Sequence, residues 1–236
     1  MATEDRTADQ DASLELPTPA SEEADVEVER EEGAPEELDA ETRARRDAAL
    51  RHVRKFGDPV LRATALPVDR FDEDLAAEVA RMGELMHDAL GVGLAATQLG
   101  VLHRVLVYKA YVDDPLVALV NPVLEWTSEE RESASEGCLS LPGVHVEVER
   151  HARVRVRAQD ETGTHIELEA EGLPARVIQH EIDHLNGTLI LDRISREARK
   201  EAKRAMREEH PEEHTPSGAH PDGHEQTGGQ ATADAA

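Results

Sequence analysis

Gln179-His180-Glu181-Ile182-Asp183-His184-Leu185-Asn186-Gly187 is the stretch from which the rest of the chain is read. It carries the pattern His-Glu-x-x-His. At 3.6 residues per turn, His180 and His184 stand one above the other on one helix face, where both imidazoles can reach one ion. Glu181 projects beside them, placed to handle a proton of an attacking water rather than to ligate. Pro174 suits a first helical turn, where its missing N–H has no partner to lose. Ile178, Ile182 and Leu185 recur at helical spacing and face a core. Gly187 supplies a left-handed stop. These signals predict a metal-binding helix from about Leu173 to Asn186.

At 236 residues the chain accommodates one domain with tails. The formal charge of −25 argues against general nucleic-acid binding, DNA included, but the acids are unevenly placed. Residues 1–45 carry 16 acids against 4 bases, and residues 206–236 carry 7 against 1. The middle holds 28 against 21, an ordinary balance for a soluble enzyme. All five aromatics (Phe56, Phe71, Tyr108, Tyr111, Trp126) lie in that middle, so neither tail can bury much apolar surface. The expected organisation is a disordered acidic extension over 1–45, a catalytic domain over 46–208, and a disordered His- and acid-rich tail over 209–236. The single cysteine, Cys138, excludes an intramolecular disulfide and points to a reducing compartment. With no apolar leader and no run approaching a membrane span, the expectation is a cytoplasmic protein without membrane contact.

Ala44 to Val53 reads as a short helix leading into the domain, followed by a turn at Asp58-Pro59. Phe71 to Leu90 is amphipathic, with Leu75, Val79, Met82 and Met86 at helical spacing. Gly91-Val92-Gly93-Leu94-Ala95-Ala96-Thr97-Gln98 follows. Locally it reads either as a glycine-terminated helix entering a strand or as backbone that something approaches closely, with the Gln98 amide free to donate to a developing oxyanion. Val101–Tyr108 and Leu116–Val123 are β-branched runs that read as strands, the second broken by Asn121-Pro122, and Glu125–Arg131 as a further strand. Ser135–Gly143 has loop character around the lone thiol. Val144–Val148, Ala152–Ala158 and Thr164–Glu169 alternate at period two and read as antiparallel strands, and Thr188–Leu191 as a short apolar strand. The last helix, Ser195–Arg207, carries Arg196, Arg199, Lys200, Lys203, Arg204 and Arg207 against Glu197 and Glu201. Either this is a solvated helix surface or it meets something anionic.

Three blocks stand in one order: Gly91 to Gln98, then Glu136-Gly137-Cys138-Leu139-Ser140, then Gln179 to Gly187. In this combination the chain resembles the peptide deformylases over about Leu50 to Leu191. The resemblance implies an α+β fold, with antiparallel β-sheets packed around the central metal-binding helix. It also implies removal of the N-formyl group from the N-terminal methionine of nascent proteins, with release of formate. Cys138, His180 and His184 would then bind one divalent metal, Fe2+ by resemblance, with Zn2+, Ni2+ or Co2+ as substitutes. Glu181 would move the proton, while the Gln98 amide and the Leu139 N–H hold the oxyanion. Val92, Leu173 and Val177 would line the methionine pocket, Gly93 would pair with the peptide backbone, and Glu136 would fix a ligand or loop. Because such a substrate emerges from a ribosome, the basic helix 195–207 becomes a candidate ribosome contact. Two positions depart from many relatives: His145, where an arginine is common, and Arg176, where some carry an aliphatic residue.

Two other classes compete. A zinc endopeptidase using the same helix would want a third ligand downstream, where Asp192 and Glu197 are the nearest candidates. A metal-stabilised binding module would place function in the tails instead.

Overall fold

The computed structural model of the protein describes residues 38–209. The remainder of the expected acidic extension and His-rich tail lies outside the described residues. Helix α1 spans Ala40–Leu50, starting inside the segment expected to be unstructured through residue 45. The reason is local: the Asp39 carboxylate accepts from the Glu41 and Thr42 amides at 3.0 and 2.9 Å and caps the helix. Helix α2 covers Glu73–Asp88, capped by Asp72.

Five strands form one antiparallel sheet in the order β1-β2-β3-β6-β7: Gly93–Ala95, Val105–Tyr108, Val117–Thr127, Arg153–Gln159 and His165–Glu171. Strand β2 has no polar residue because the sheet is covered on both sides. Leu106 and Tyr108 face one cluster with Ala175, Ile178, Ile182 and Leu185 of helix α3 (Gly172–Leu185), while Val105 and Val107 face Leu75, Val79, Met82 and Met86 of α2. Strands β4 (Arg131–Cys138) and β5 (Leu141–His151) make a separate hairpin. It packs on helix α4 (Arg196–Glu209) through Leu141, Val144 and Val148 against Ala202 and Met206. The sheets thus enclose α3, as an α+β antiparallel architecture requires.

Several local expectations need correction. Strand β3 runs through Asn121-Pro122 instead of breaking there. Asn121 takes a left-handed φ of 53° at a bulge, where the missing Pro122 N–H removes no ladder bond. The Asn121 side chain pins that bulge by exchanging 2.8 Å bonds with the Val68 backbone. The Glu125–Arg131 strand is divided between β3 and β4. Ser135–Gly143 is a hairpin end rather than a loop: β4 is mostly solvent-exposed and so lacks the apolar alternation that marks strands. Thr188–Leu191 is not a strand; a 3-10 turn at Ile190–Asp192 stands there, with the Asp192 carboxylate accepting from the Leu189 N–H. Gly187 ends α3 at φ 71°, and a Cβ there would come within 2.5 Å of the Arg62 carbonyl oxygen.

Candidate active site

Helix α3 buries Ile178, Ile182 and Leu185 in the core, which turns its opposite face, with His180 and His184, toward the β4–β5 hairpin. Cys138, at the last position of β4, arrives from that hairpin. Its Sγ lies 3.2 Å from His184 Nε2, and ligand atoms of Cys138, His180 and His184 all fall within 4.8 Å of one another. Among the described residues no other cluster of this kind forms. Asp192, the nearest downstream acid, is instead paired with Arg62 and Arg199.

The site fits a divalent metal. Thiolate plus two imidazoles is a transition-metal donor set. Glu181 Oε2 is buried with no hydrogen-bond partner among the described residues, as in a site that a ligand completes. Burial would lower the His180 pKa, yet the Cys138 sulfur and the Glu136 carboxylate outweigh it and draw the imidazole well above its usual range. These anions call for a cation. His184 is driven the other way, by burial and then by His180, and stays neutral as a ligand must. Burial pushes Glu181 up to about 7, opposed by the charges of His180 and Arg150.

Gln98 sits in a 3-10 turn, Ala96–Leu99, directly after β1. Its Oε1 accepts from the Ala95 N–H at 2.9 Å, so its NH2 group is aimed at Ser140 Oγ (3.2 Å) and Cys138 Sγ (3.8 Å). Leu139 follows the thiol, and its carbonyl accepts from Lys55 Nζ at 3.1 Å, which fixes that peptide plane. Val92, Gly93, Leu173 and Val177 line one cleft of ≈ 370 Å³ together with Gln98, Cys138, His180 and Glu181. Strand β1 is an edge strand, so Gly93 leaves one side of its backbone open to pairing. A Cβ on Gly93 would overlap Glu181 Oε1 and Val177 Cγ1, so only glycine leaves the carboxylate in place.

Behind the ligands lies a charge network that the sequence reading reached only at Glu136. Glu136 accepts from His180 Nδ1 at 3.0 Å and from a two-pronged Arg150 fork at 2.9 Å. Arg150 also donates to Asp183 at 2.6 Å, and Asp183 is gripped from the other side by Arg193. Burial would raise the Glu136 pKa; the Arg150 fork and His180 overcome it and hold the carboxyl well below the usual carboxylate range. Arg176 joins the same network, donating to Glu136 (2.7 Å) and to the Val148 and Glu132 carbonyls (2.8 and 2.7 Å). It therefore ties α3 to the hairpin. The His145 ring packs over Gly137, where a Cβ would come within 3.0 Å of Nε2. Asp183 lies inside the quoted motif and could have been read as a fixing residue. Arg150 and Ser140 had no local signal, because burial of a lone charge or hydroxyl appears only once the chain is folded.

Three protein ligands leave a fourth position for water, the arrangement of hydrolytic rather than structural metal sites. The fold and site thus define a mononuclear metallohydrolase. Residues 50–200 match the family model described as polypeptide deformylase, and the chain belongs to that family. It is 52% identical over 154 residues to the peptide deformylase of Thermotoga neapolitana, covering 65% of this chain and 90% of that protein. To that of Acidothermus cellulolyticus it is 49% identical over 160 residues, covering 68% and 87%. The crystal structure of the Thermotoga maritima peptide deformylase matches at a TM-score of 0.59 and 50% identity, covering 61% of this chain and 96% of that one. That of Legionella pneumophila matches at 0.65 and 37%, covering 70% and 98%.

Proposed function

We propose that Glu181, Gln98 and Leu139 carry out the deformylation of N-formyl-methionyl nascent proteins, at a ferrous ion held by Cys138, His180 and His184. Zn2+, Ni2+ or Co2+ would occupy the same ligands. The bound metal would supply Lewis acidity, making water a nucleophile at neutral pH and polarising the formyl carbonyl. Glu181 takes the proton from the attacking water and hands it to the departing amine, which must be protonated to leave. The Gln98 amide and the Leu139 N–H donate to the oxygen as its charge develops. The peptide lies along the free edge of β1, pairing with Gly93, with its methionine side chain between Val92, Leu173 and Val177.

The observation that carries this reading is the convergence of Cys138 with two helical histidines beside a buried carboxylate, one of whose oxygens, Glu181 Oε2, has no partner among the described residues. The test is metal removal. Chelated protein should release no formate from formyl-Met-Ala-Ser, and ferrous iron added anaerobically should restore turnover together with one equivalent of bound metal. Restored protein that leaves the formyl peptide intact, or cleaves unformylated peptides internally, would overturn it. The same reading places the enzyme in the cytoplasm, where nascent chains first appear. Among the described residues, no helix is long and apolar enough to cross a membrane.

The reading extends to the ribosome through α4. Of its bases, Arg199 is used inside the fold, donating to the Leu191 carbonyl at 2.5 Å, and Lys203 lies 5.6 Å over the Phe56 ring. Arg196, Lys200 and Arg204 are solvent-exposed and stand at four-residue intervals, one strip along the helix. Ribosome affinity should fall as salt rises, with a shallower slope when this strip is replaced by glutamine. Binding unaffected by salt and by the triple substitution would exclude the contact.

A further inference from the structure

The cleft that holds the metal ligands is walled in part by α1, a helix that ends at residue 50, where the family match begins. Arg46 and Leu50, one turn apart on α1, both line it. The only acidic side chains in its lining are Glu136 and Glu181, both buried. Glu136 is already committed to Arg150, Arg176 and His180. Two arginines also line the cleft. Arg176 is spent on Glu136 and two backbone carbonyls. Arg46 is half-buried and makes no hydrogen bond or ion pair among the described residues. A guanidinium in that position has lost part of its water without gaining a partner among the described residues, and an anion offered to it restores the balance.

We propose that Arg46 is a specificity-determining residue that favours peptides bearing an acidic side chain shortly after the formyl-methionine. The proposal rests on the deformylase reading, since that reading lays a peptide along this cleft. The moiety recognised is a side-chain carboxylate, because within a nascent chain the formylated terminus is neutral and the other terminus is remote. Ala49 is the buried residue of α1, and the helix packs on α2, so the guanidinium is presented from a fixed element.

The test compares formyl-Met-Glu-Ala-amide with formyl-Met-Gln-Ala-amide, which differ by one charge and carry no other carboxylate. The readout is the ratio of their kcat/KM values in the wild type and in Arg46→Ala, Arg46→Lys and Arg46→Glu. The ratio should drop roughly two- to fivefold in Arg46→Ala, through KM rather than kcat, as expected for one partly exposed ion pair. Arg46→Lys should keep most of it, Arg46→Glu should invert it, and high salt should shrink the wild-type preference. An identical ratio in wild type and Arg46→Glu overturns the proposal. If the wild type deformylates neither peptide, it is the deformylase reading that falls, and the two failures are distinguishable.

Discussion

Replacing Glu181 by glutamine is expected to lower kcat for formate release by about two to four orders of magnitude, the range of general acid–base catalysis. The exchange is nearly isosteric, and the side chain is only 4% exposed, so shape and packing are conserved. What changes is proton capacity. A carboxylate can accept a proton from water and return it to the amine, whereas an amide can do neither. Glu181 Oε2 has no partner among the described residues, so the substitution breaks no hydrogen bond there. Stability should therefore hold, and so should metal content, because Glu181 is not in the ligand cluster. The measurement is kcat and KM on a formyl-Met peptide alongside metal stoichiometry. Turnover within a few-fold of wild type would remove Glu181 from the chemistry. Joint loss of metal and activity would instead make it a ligand.

The site was legible in sequence because its chemistry is concentrated in short blocks. His180, Glu181 and His184 share one helix, and helical periodicity alone puts two of them on one face. Cys138 is different: no periodic argument joins it to residues more than forty positions away, and only resemblance supplied the pairing that the folded hairpin makes. The regular elements that periodicity marked, α2, β2 and α3, stand within a few residues of their expected bounds. The failures share a cause, in that tertiary context supplied what the local signal lacked. Strand β4 has almost no buried residues to alternate, and β3 passes a proline because a bulge removes the need for its N–H. The order of strands was equally hidden: β3 pairs with β6, past the β4–β5 hairpin that lies between them in sequence. Arg150 is the sharpest omission. It reads as one more charge among those of β5, yet it is 4% exposed and holds two acids from different elements.

That burial makes Arg150→Met the substitution with the largest expected effect on stability. Breaking a buried ion network by removing one partner typically costs about 3–5 kcal/mol, since the remaining charges stay buried with less compensation. Here Glu136 and Asp183 would each lose their shared cation. Both keep a second one, Arg176 for Glu136 and Arg193 for Asp183, so the lower end of that range is expected. For a domain of this size, 3 kcal/mol corresponds to a Tm lower by roughly 6–12 °C. A second consequence separates this network from ordinary packing. Glu136 orients His180 through Nδ1, so a loosened carboxylate should also weaken metal binding, by about 10- to 100-fold for a group of this kind. Tm should therefore be measured for metal-free and metal-loaded protein, together with the metal Kd. If the metal-free Tm falls while the Kd is unchanged, Arg150 stabilises the fold without positioning the ligand. Replacing both Arg150 and Glu136 by methionine and glutamine should cost less than the sum of the single changes, because it removes the charge that either one leaves stranded. Strict additivity in that cycle would mean that the fork between them carries no coupling, and that the loss in Arg150→Met comes from Asp183 alone.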